Sequence, residues 1–328
     1  MYTGNPINCL GNTGNFPCQS NLETPSELEN NGLNVRTYNF ECRSYEDEGH
    51  LLPGKLIVNR DICAESCWQA HSNVIAVAEF IRDVLMHDPP NGMQAKYISS
   101  INCVEILGQT EWKGAAWLDD YEQVVFGQHR VNGQLHSLAI YQDIVAHEFF
   151  HGLNYQIAEF EYKRESGALD ESYADIFAIL VTNRNQPDIS QWNWEFGIGL
   201  FEGVDCIRNV ENPSSCGQPD NMNHYRIKPY YDDYGGVHDN NGIHNRAAYN
   251  LITSLDSQGN FLFNATSAAQ LFYLALRKLG PTSRFIDSRR AVVQAAKTLS
   301  ITRWRNDSTK IEKLRAIEKA FDQVGIVE

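Results

Sequence analysis

Two histidines four residues apart, with a glutamate beside the first, are the strongest chemical signal in the chain: His147-Glu148-Phe149-Phe150-His151. On a helix this spacing puts both imidazoles on one face, one turn apart, where they can chelate a single ion. Neutral imidazoles suit zinc, and a carboxylate next to the site can take a proton from a zinc-activated water. The alternative is a helix carrying two hydrogen-bonded histidines, and a third ligand separates the two readings. Glu171 supplies one, twenty residues after His151 within Glu165-Ser-Gly-Ala-Leu-Asp-Glu-Ser-Tyr-Ala-Asp175. Two His and one Glu leave a fourth position open, the arrangement of a catalytic rather than a structural zinc. Asp175, one helical turn after Glu171, can reach a ring nitrogen of a liganding histidine and fix its tautomer, with Asp170 a weaker candidate for the other histidine.

The chain resembles the thermolysin-like family of zinc metallopeptidases over nearly its whole length. The resemblance rests on Asp143-Ile-Val-Ala-His-Glu-Phe-Phe-His151, on Glu165 to Phe177, and on Tyr234-Gly-Gly-Val-His-Asp-Asn-Asn-Gly-Ile-His-Asn-Arg-Ala-Ala-Tyr249. It implies that His238 donates to the oxyanion, that Asp233 holds its ring, and that Tyr162 bonds the same oxygen. It further implies that Arg208 binds the substrate carbonyl just after the scissile bond and that Leu135, Leu138, Ile144 and Ile207 line the pocket beyond it. Hydrophobic residues are then preferred on the carboxyl side of the cut.

Two positions depart from the family pattern. Gly114-Ala115-Ala116-Trp117 stands where the family has Asn-Ala-aromatic-Trp on its substrate-binding edge strand, so the asparagine contacts are missing while the Ala115 carbonyl can still pair with a peptide. Of the family's paired calcium site only Asp143 and Glu195 are in place, and Thr182 and Ile198 occupy two acidic positions, so the double site looks degraded although one ion remains conceivable. The zinc-protease pattern with a third histidine six residues after the second is absent, since Asn154 and Ile157 occupy its glycine and histidine positions. The aminopeptidase motif Gly-x-Met-Glu-Asn is absent too. His50, His71, His87, His129, His136, His224 and His244 lack ligand spacing and receive no role.

Apolar periodicity indicates the elements that must position these groups. Residues 1 to about 60 are loop-rich, with short β-like runs at Asn34–Phe40 and Lys55–Val58. Val74, Val77, Ala78, Ile81 and Leu85 recur at helical spacing within 69–86. Short β-prone runs between 97 and 138, including 97–104 and 123–126, point to an antiparallel sheet. Helical patterns follow at 141–159, 168–182, 242–255, 265–279, 288–299 and 309–324. The expected fold is α+β and thermolysin-like. A mostly β lobe (1–155) ends in the zinc-binding helix, a mostly α lobe spans 156–328, and the active-site helix lies between them.

With 42% hydrophobic residues the 328-residue chain can bury a large core, and no apolar run approaches the ~18 residues of a spanning helix. A formal charge of −14 argues against nucleic-acid binding. The N-terminus has neither a basic start nor an apolar run, so either export information has been removed or the chain stays inside. Eight scattered cysteines favour an oxidising location. A local bridge between Cys206 and Cys216 fits their spacing, whereas Cys63 and Cys67 on one helix would be strained. Asn264-Ala-Thr and Asn306-Asp-Ser fit glycosylation acceptors. The function expected is a secreted, extracellular and monomeric zinc endopeptidase acting on protein or peptide substrates and held by an inhibitory prosegment before maturation. The rivals are a peptide-binding protein that retains the metal, and a zinc exopeptidase.

Overall fold

The computed structural model describes residues 33–46, 52–56, 65–87, 96–106, 108–131, 133–200 and 207–328. They divide into two compact units, Met1–Gly152 and Leu153–Glu328.

The first unit is built on a six-stranded sheet with one long helix. Its elements are β1 (Asn34–Asn39), β2 (Lys55–Leu56), α1 (Glu65–Glu79), β3 (Lys96–Ile101), β4 (Trp112–Leu118), β5 (Gln123–Val131) and β6 (Gln134–Ser137), with α2 (Gln142–Ile157) entering at its end. The sheet is mixed, which corrects the antiparallel expectation. β1 pairs parallel with β3, and β3 parallel with β5, while β2, β4 and β6 pair antiparallel with their neighbours. The reason lies between β1 and β3: α1 is long enough to serve as the crossover that parallel neighbours need. Period-two alternation reports which face a residue occupies, not which way its neighbour runs. The strand order β2-β1-β3-β5-β4 leaves β4 on an edge.

α1 continues into a π-helical turn over Phe80–Val84. Its apolar face, with Val74, Val77, Phe80 and Ile81 all buried, packs towards β1 and β3, and Phe80 meets Phe150 of α2 edge-on at 6.2 Å. Tyr97 of β3 and Trp117 of β4 pack on Phe149 at 5.9 and 6.4 Å. Three elements thus clamp the helix segment that carries the histidines. A Cβ on Gly152 would lie 2.8 Å from the Trp117 ring, so only glycine lets β4 and α2 approach this closely. Cys103 is a fully buried free thiol and burial raises its pKa, so the even cysteine count does not translate into complete pairing. Cys42 and Cys216 are disulfide-bonded. Cys206, the partner expected for Cys216, lies outside the described residues, as do Cys63 and His50.

The second unit is helical: α3 (Arg164–Thr182), α4 (Asp233–Ile252), α5 (Ala265–Leu276), α6 (Phe285–Ile301) and α7 (Lys310–Gln323), with a two-stranded ribbon of β7 (Glu195–Phe196) and β8 (Arg208–Asn209). α3 is buried almost throughout from Ser166 to Val181, because its apolar residues surround it rather than forming a stripe. α4 starts nine residues before the expected 242, and the residues at its start are why. Asp233-Tyr-Gly-Gly-Val-His-Asp carries no helical apolar repeat, and Asp233, Tyr234, Gly235 and Gly236 all take positive φ. The Asn264 side chain caps α5 by accepting from Ser267 N–H. Among the described residues, no helix is long and apolar enough to cross a membrane.

Two buried histidines set an acid limit on stability. His71 hydrogen-bonds Thr37 within the first unit, and His244 is enclosed by Ser172 and Ser288 in the second. Burial pushes their pKa values down to about 4 and about 3. Unfolded histidine, near 6.5, therefore binds protons that the folded chain does not. Stability is complete above about pH 6.5 and falls as pH drops towards the folded values, by at most about 1.4 kcal/mol per pH unit for each histidine. Melting curves between pH 7 and 4.5 should show a shallower acid decline for His244→Gln than for wild type, whatever the offset at pH 7. Parallel declines would remove His244 as the source.

Candidate metal centre

The ligand set is brought together by two helices. α2 carries His147, Glu148 and His151, and α3 carries Glu171. The two Nε2 atoms of His147 and His151 are 3.0 Å apart. One ligand atom from each of His147, His151 and Glu171 lies within 4.8 Å of the others, the one such group among the described residues. Ligands about 2.05 Å from a tetrahedral zinc stand about 3.3 Å apart, so two imidazole nitrogens this close and a carboxylate within reach have the chemistry and spacing of a zinc site. His147 and Glu171 are buried, at 5% and 1% exposure.

Glu148 is also buried, and its Oε2 accepts the backbone N–H of Trp117 at 3.1 Å. A strand-edge amide therefore holds the carboxylate beside the two histidines. No sequence signal marks this contact, because every residue but proline carries the same N–H. Along the same strand the register slips between Trp112 and Ala115, and a Cβ on Gly114 would lie 2.6 Å from the Trp112 indole. The Trp112 ring, 4.9 Å from that of Tyr45, occupies the space an asparagine at 114 would need. Gly114 and the placement of Trp112 therefore go together. Ala115 pairs with Phe126 on the inner side, which leaves the outer side of β4 as sheet edge.

In the helical unit Glu171 sits in a hydrogen-bond cluster. The Tyr162 hydroxyl donates to Glu171 Oε1 and lies 3.2 Å from His238 Nε2, which is itself 3.3 Å from the same carboxylate oxygen. Asp233 Oδ1 is 2.5 Å from His238 Nδ1, and its Oδ2 accepts the His238 backbone N–H at 2.9 Å. The Glu171 carboxylate, followed by the bond to Asp233 and against the opposing effect of burial, pushes His238 up to about 10. Burial works against ionisation of Asp233, but its bonds from His238 outweigh it and hold the carboxyl below its usual range. Asp233 thus holds the Nδ1 side of the ring and leaves Nε2 towards Tyr162 and Glu171.

Asp175 is wholly buried. Its Oδ1 accepts from Arg208 Nη2 at 2.9 Å and Nε at 3.1 Å, and its Oδ2 from Asn241 and Asn245 at 2.8 and 2.9 Å. Arg208 also lies over the Phe196 ring at 5.4 Å. The Arg208–Asp175 pair is an interior one, since the Arg208 side chain is only 11% exposed and its partner is buried. Asp170 accepts from Asn154 Nδ2 at 2.7 Å, which ties the last turns of α2 to α3. Asn154, Asn241 and Asn245 escaped the sequence reading. Their signal was a set of poor helix formers inside helical patterns, and such residues stay buried only with hydrogen-bond partners.

Of the expected pocket residues, Leu135, Leu138 and Ile144 are buried in the first unit. Ile207 is half-buried in the second, with its side chain over Gly197. Asp143 Oδ1 accepts the Ile144 N–H and Glu195 accepts from Asn209. Thr182 spends its hydroxyl on the Ala178 and Ile179 carbonyls, and Ile198 is half-exposed.

Comparison with known proteins returns one family for both units. The model described as "Thermolysin metallopeptidase, catalytic domain" matches residues 10–154, and "Thermolysin metallopeptidase, alpha-helical domain" matches residues 158–326. Bacillolysin of Bacillus amyloliquefaciens is 30% identical over 299 residues, which cover 90% of this chain and 51% of bacillolysin. Neutral protease NprE of Bacillus pumilus is also 30% identical over 299 residues, covering 90% and 88% of the two chains. The extracellular elastase of Staphylococcus epidermidis is 35% identical over 201 residues, 61% of this chain and 36% of that one. The chain thus spans about half the length of bacillolysin and most of NprE. The solved structure titled precursor of protealysin, metalloproteinase from Serratia proteamaculans, matches with a TM-score of 0.70 at 25% identity, over 90% of this chain and 88% of that one.

Proposed function

The chain belongs to the thermolysin family of metallopeptidases, and on that footing we propose that it is a secreted zinc endopeptidase that cuts internal peptide bonds before hydrophobic residues. The observation that carries the proposal is the convergence of His147, His151 and Glu171 with Glu148 held beside them. A zinc ion bound by those three residues supplies a Lewis acid that polarises the scissile carbonyl and makes water acidic enough to give up a proton near neutral pH.

Every other step belongs to this chain's own residues. Glu148 takes the proton from the attacking water and returns it to the leaving amine, so the carboxylate is regenerated and no covalent enzyme intermediate forms. His238 and Tyr162 donate to the oxyanion, and Asp233 keeps the imidazole charged and oriented. Arg208, aimed by Asp175, binds the carbonyl after the scissile bond, while the outer edge of β4 at Ala115 pairs with the extended peptide. Asp175 and Asp170 also steady the liganding histidines. Leu135, Leu138, Ile144 and Ile207 line the pocket for the hydrophobic side chain. The family's double calcium site is not part of the proposal, because Thr182 and Ile198 bring no carboxylate. Secretion is supported by the cysteine usage and by the extracellular elastase among the relatives, and an inhibitory prosegment by the protealysin precursor.

Mass-spectrometric mapping of a mixed peptide pool tests the reading. The expected result is internal cuts before Leu, Ile, Val or Phe that vanish with chelator. Cuts confined to peptide termini would favour the exopeptidase, and no cuts by folded, zinc-loaded protein would favour the peptide-binding rival.

A further inference from the structure

The helical unit carries a row of exposed tyrosines that none of the steps above uses. Tyr230, Tyr231 and Tyr234 are 62%, 90% and 47% exposed. Two of them continue a ladder of rings into the site. Tyr230 meets Tyr234 edge-to-face at 5.5 Å and 85°, Tyr234 meets Tyr162 at 5.2 Å and 69°, and Tyr162 meets His238 at 6.2 Å and 72°. In such T-shaped contacts one ring presents its edge to the other's face, so part of the aromatic surface stays open for a further ring.

The backbone beneath the ladder is unusual. Asp233 and Tyr234 have φ of 54° and 49°, followed by Gly235 and Gly236 at 90° and 88°. Glycine or asparagine adopts this left-handed conformation readily, whereas for a bulky residue such as tyrosine it is an outlier. The ring at 234 lies half in solvent, so core burial does not compensate for the conformation. What the conformation achieves is presentation of the ring between Tyr230 and the hydroxyl-bearing Tyr162.

Most nearby charges are paired among themselves, and the exposed Arg164, whose stem packs beside Gly235, adds a positive charge. Lys228 bridges Asp232 and Asp239 at 3.2 and 2.5 Å, Arg226 bonds Asp239 at 2.7 Å, and Asp233 is held by His238. With its carboxylates occupied and the Arg164 cation beside it, the ladder offers ring faces without a free counter-charge, so the side chain it suits is aromatic rather than cationic.

We propose that Tyr230, Tyr234 and Tyr162 form an aromatic subsite that binds an aromatic side chain of the substrate peptide, at a position distinct from the aliphatic pocket. The inference rests on the endopeptidase reading for its substrate class. It gives the enzyme a second point of selection, in which one substrate residue is chosen by an aliphatic pocket and another by rings beside His238.

Binding without turnover tests it. In a Glu148→Gln background, calorimetry compares peptides that differ only by Phe or Ala, scanned through the positions flanking the expected cut. The Phe peptide should bind about tenfold more tightly at one position, consistent with ring-to-ring contact plus burial. Tyr234→Phe should keep that ratio. Tyr234→Asn, which accepts the same left-handed backbone, should reduce it below about twofold, and so should the exposed change Tyr230→Ser in part, without loss of thermal stability. Equal binding of Phe and Ala peptides at every position would overturn the proposal, as would a preference that survives Tyr234→Asn combined with Tyr230→Ser. A Phe preference in a protein whose Glu148 form hydrolyses nothing would sink the endopeptidase reading and leave the subsite standing. Hydrolysis with no such preference would do the reverse.

Discussion

Glu148→Gln is expected to lower kcat/KM for peptide hydrolysis by on the order of 10³-fold or more, with zinc content and melting temperature close to wild type. Glutamine matches glutamate in shape and can still accept the Trp117 N–H that fixes this side chain. What it cannot do is take a proton from water and deliver it to the leaving amine. Because Glu148 is not one of the three converging ligands, metal binding should be untouched. Steady-state kinetics, metal analysis and a melting curve on the same preparation separate these effects. A loss of less than about tenfold would assign the proton transfer to another group, since general acid–base catalysis contributes about 10²–10⁴-fold.

Glu171→Ala should abolish both tight zinc binding and activity. The carboxylate is 1% exposed and is the only anionic member of the ligand group, so its removal leaves two neutral imidazoles for a divalent cation. It also takes away the acceptor shared by Tyr162 and His238, which blurs the placement of both donors. After dialysis against buffer the wild type should retain one zinc per chain, and Glu171→Ala, His147→Ala or His151→Ala close to none. His224→Ala, at an exposed imidazole 3.4 Å from Asp220, is the control and should retain the ion. Full zinc retention by Glu171→Ala would mean that the metal is held elsewhere.

The metal ligands were legible in the sequence because helical spacing converts directly into geometry: residues four apart share a face, and α2 and α3 both carry long helical patterns. Strand partnership was not legible. Nothing in Asn34–Asn39 or Lys96–Ile101 says that these segments run side by side in the same direction, since that depends on where α1 lets the chain return. β4 was legible only through the family resemblance at 114–117 and not from periodicity, as Gly114, Ala115 and Ala116 give a weak strand pattern and the register shift after Trp112 disrupts its alternation. The contact that fixes Glu148 comes from a backbone amide, and the contacts that fix Asp175 come from Asn241 and Asn245 some seventy residues away in sequence. His244 was passed over for lacking ligand spacing, and in the fold it is a buried link between Ser172 and Ser288. In each case a side chain's partner is set by tertiary packing rather than by local spacing.

The most direct test of the account is a titration of activity against bound zinc. Protein stripped by chelator is returned to graded zinc, and hydrolysis of an internally quenched peptide is measured alongside zinc per chain. Activity should rise in proportion to bound zinc, reach its full value at one ion per chain, and stay at background throughout in Glu148→Gln although that variant binds the same single ion. Undiminished hydrolysis by the stripped protein, or hydrolysis by zinc-loaded Glu148→Gln at the wild-type rate, would contradict it.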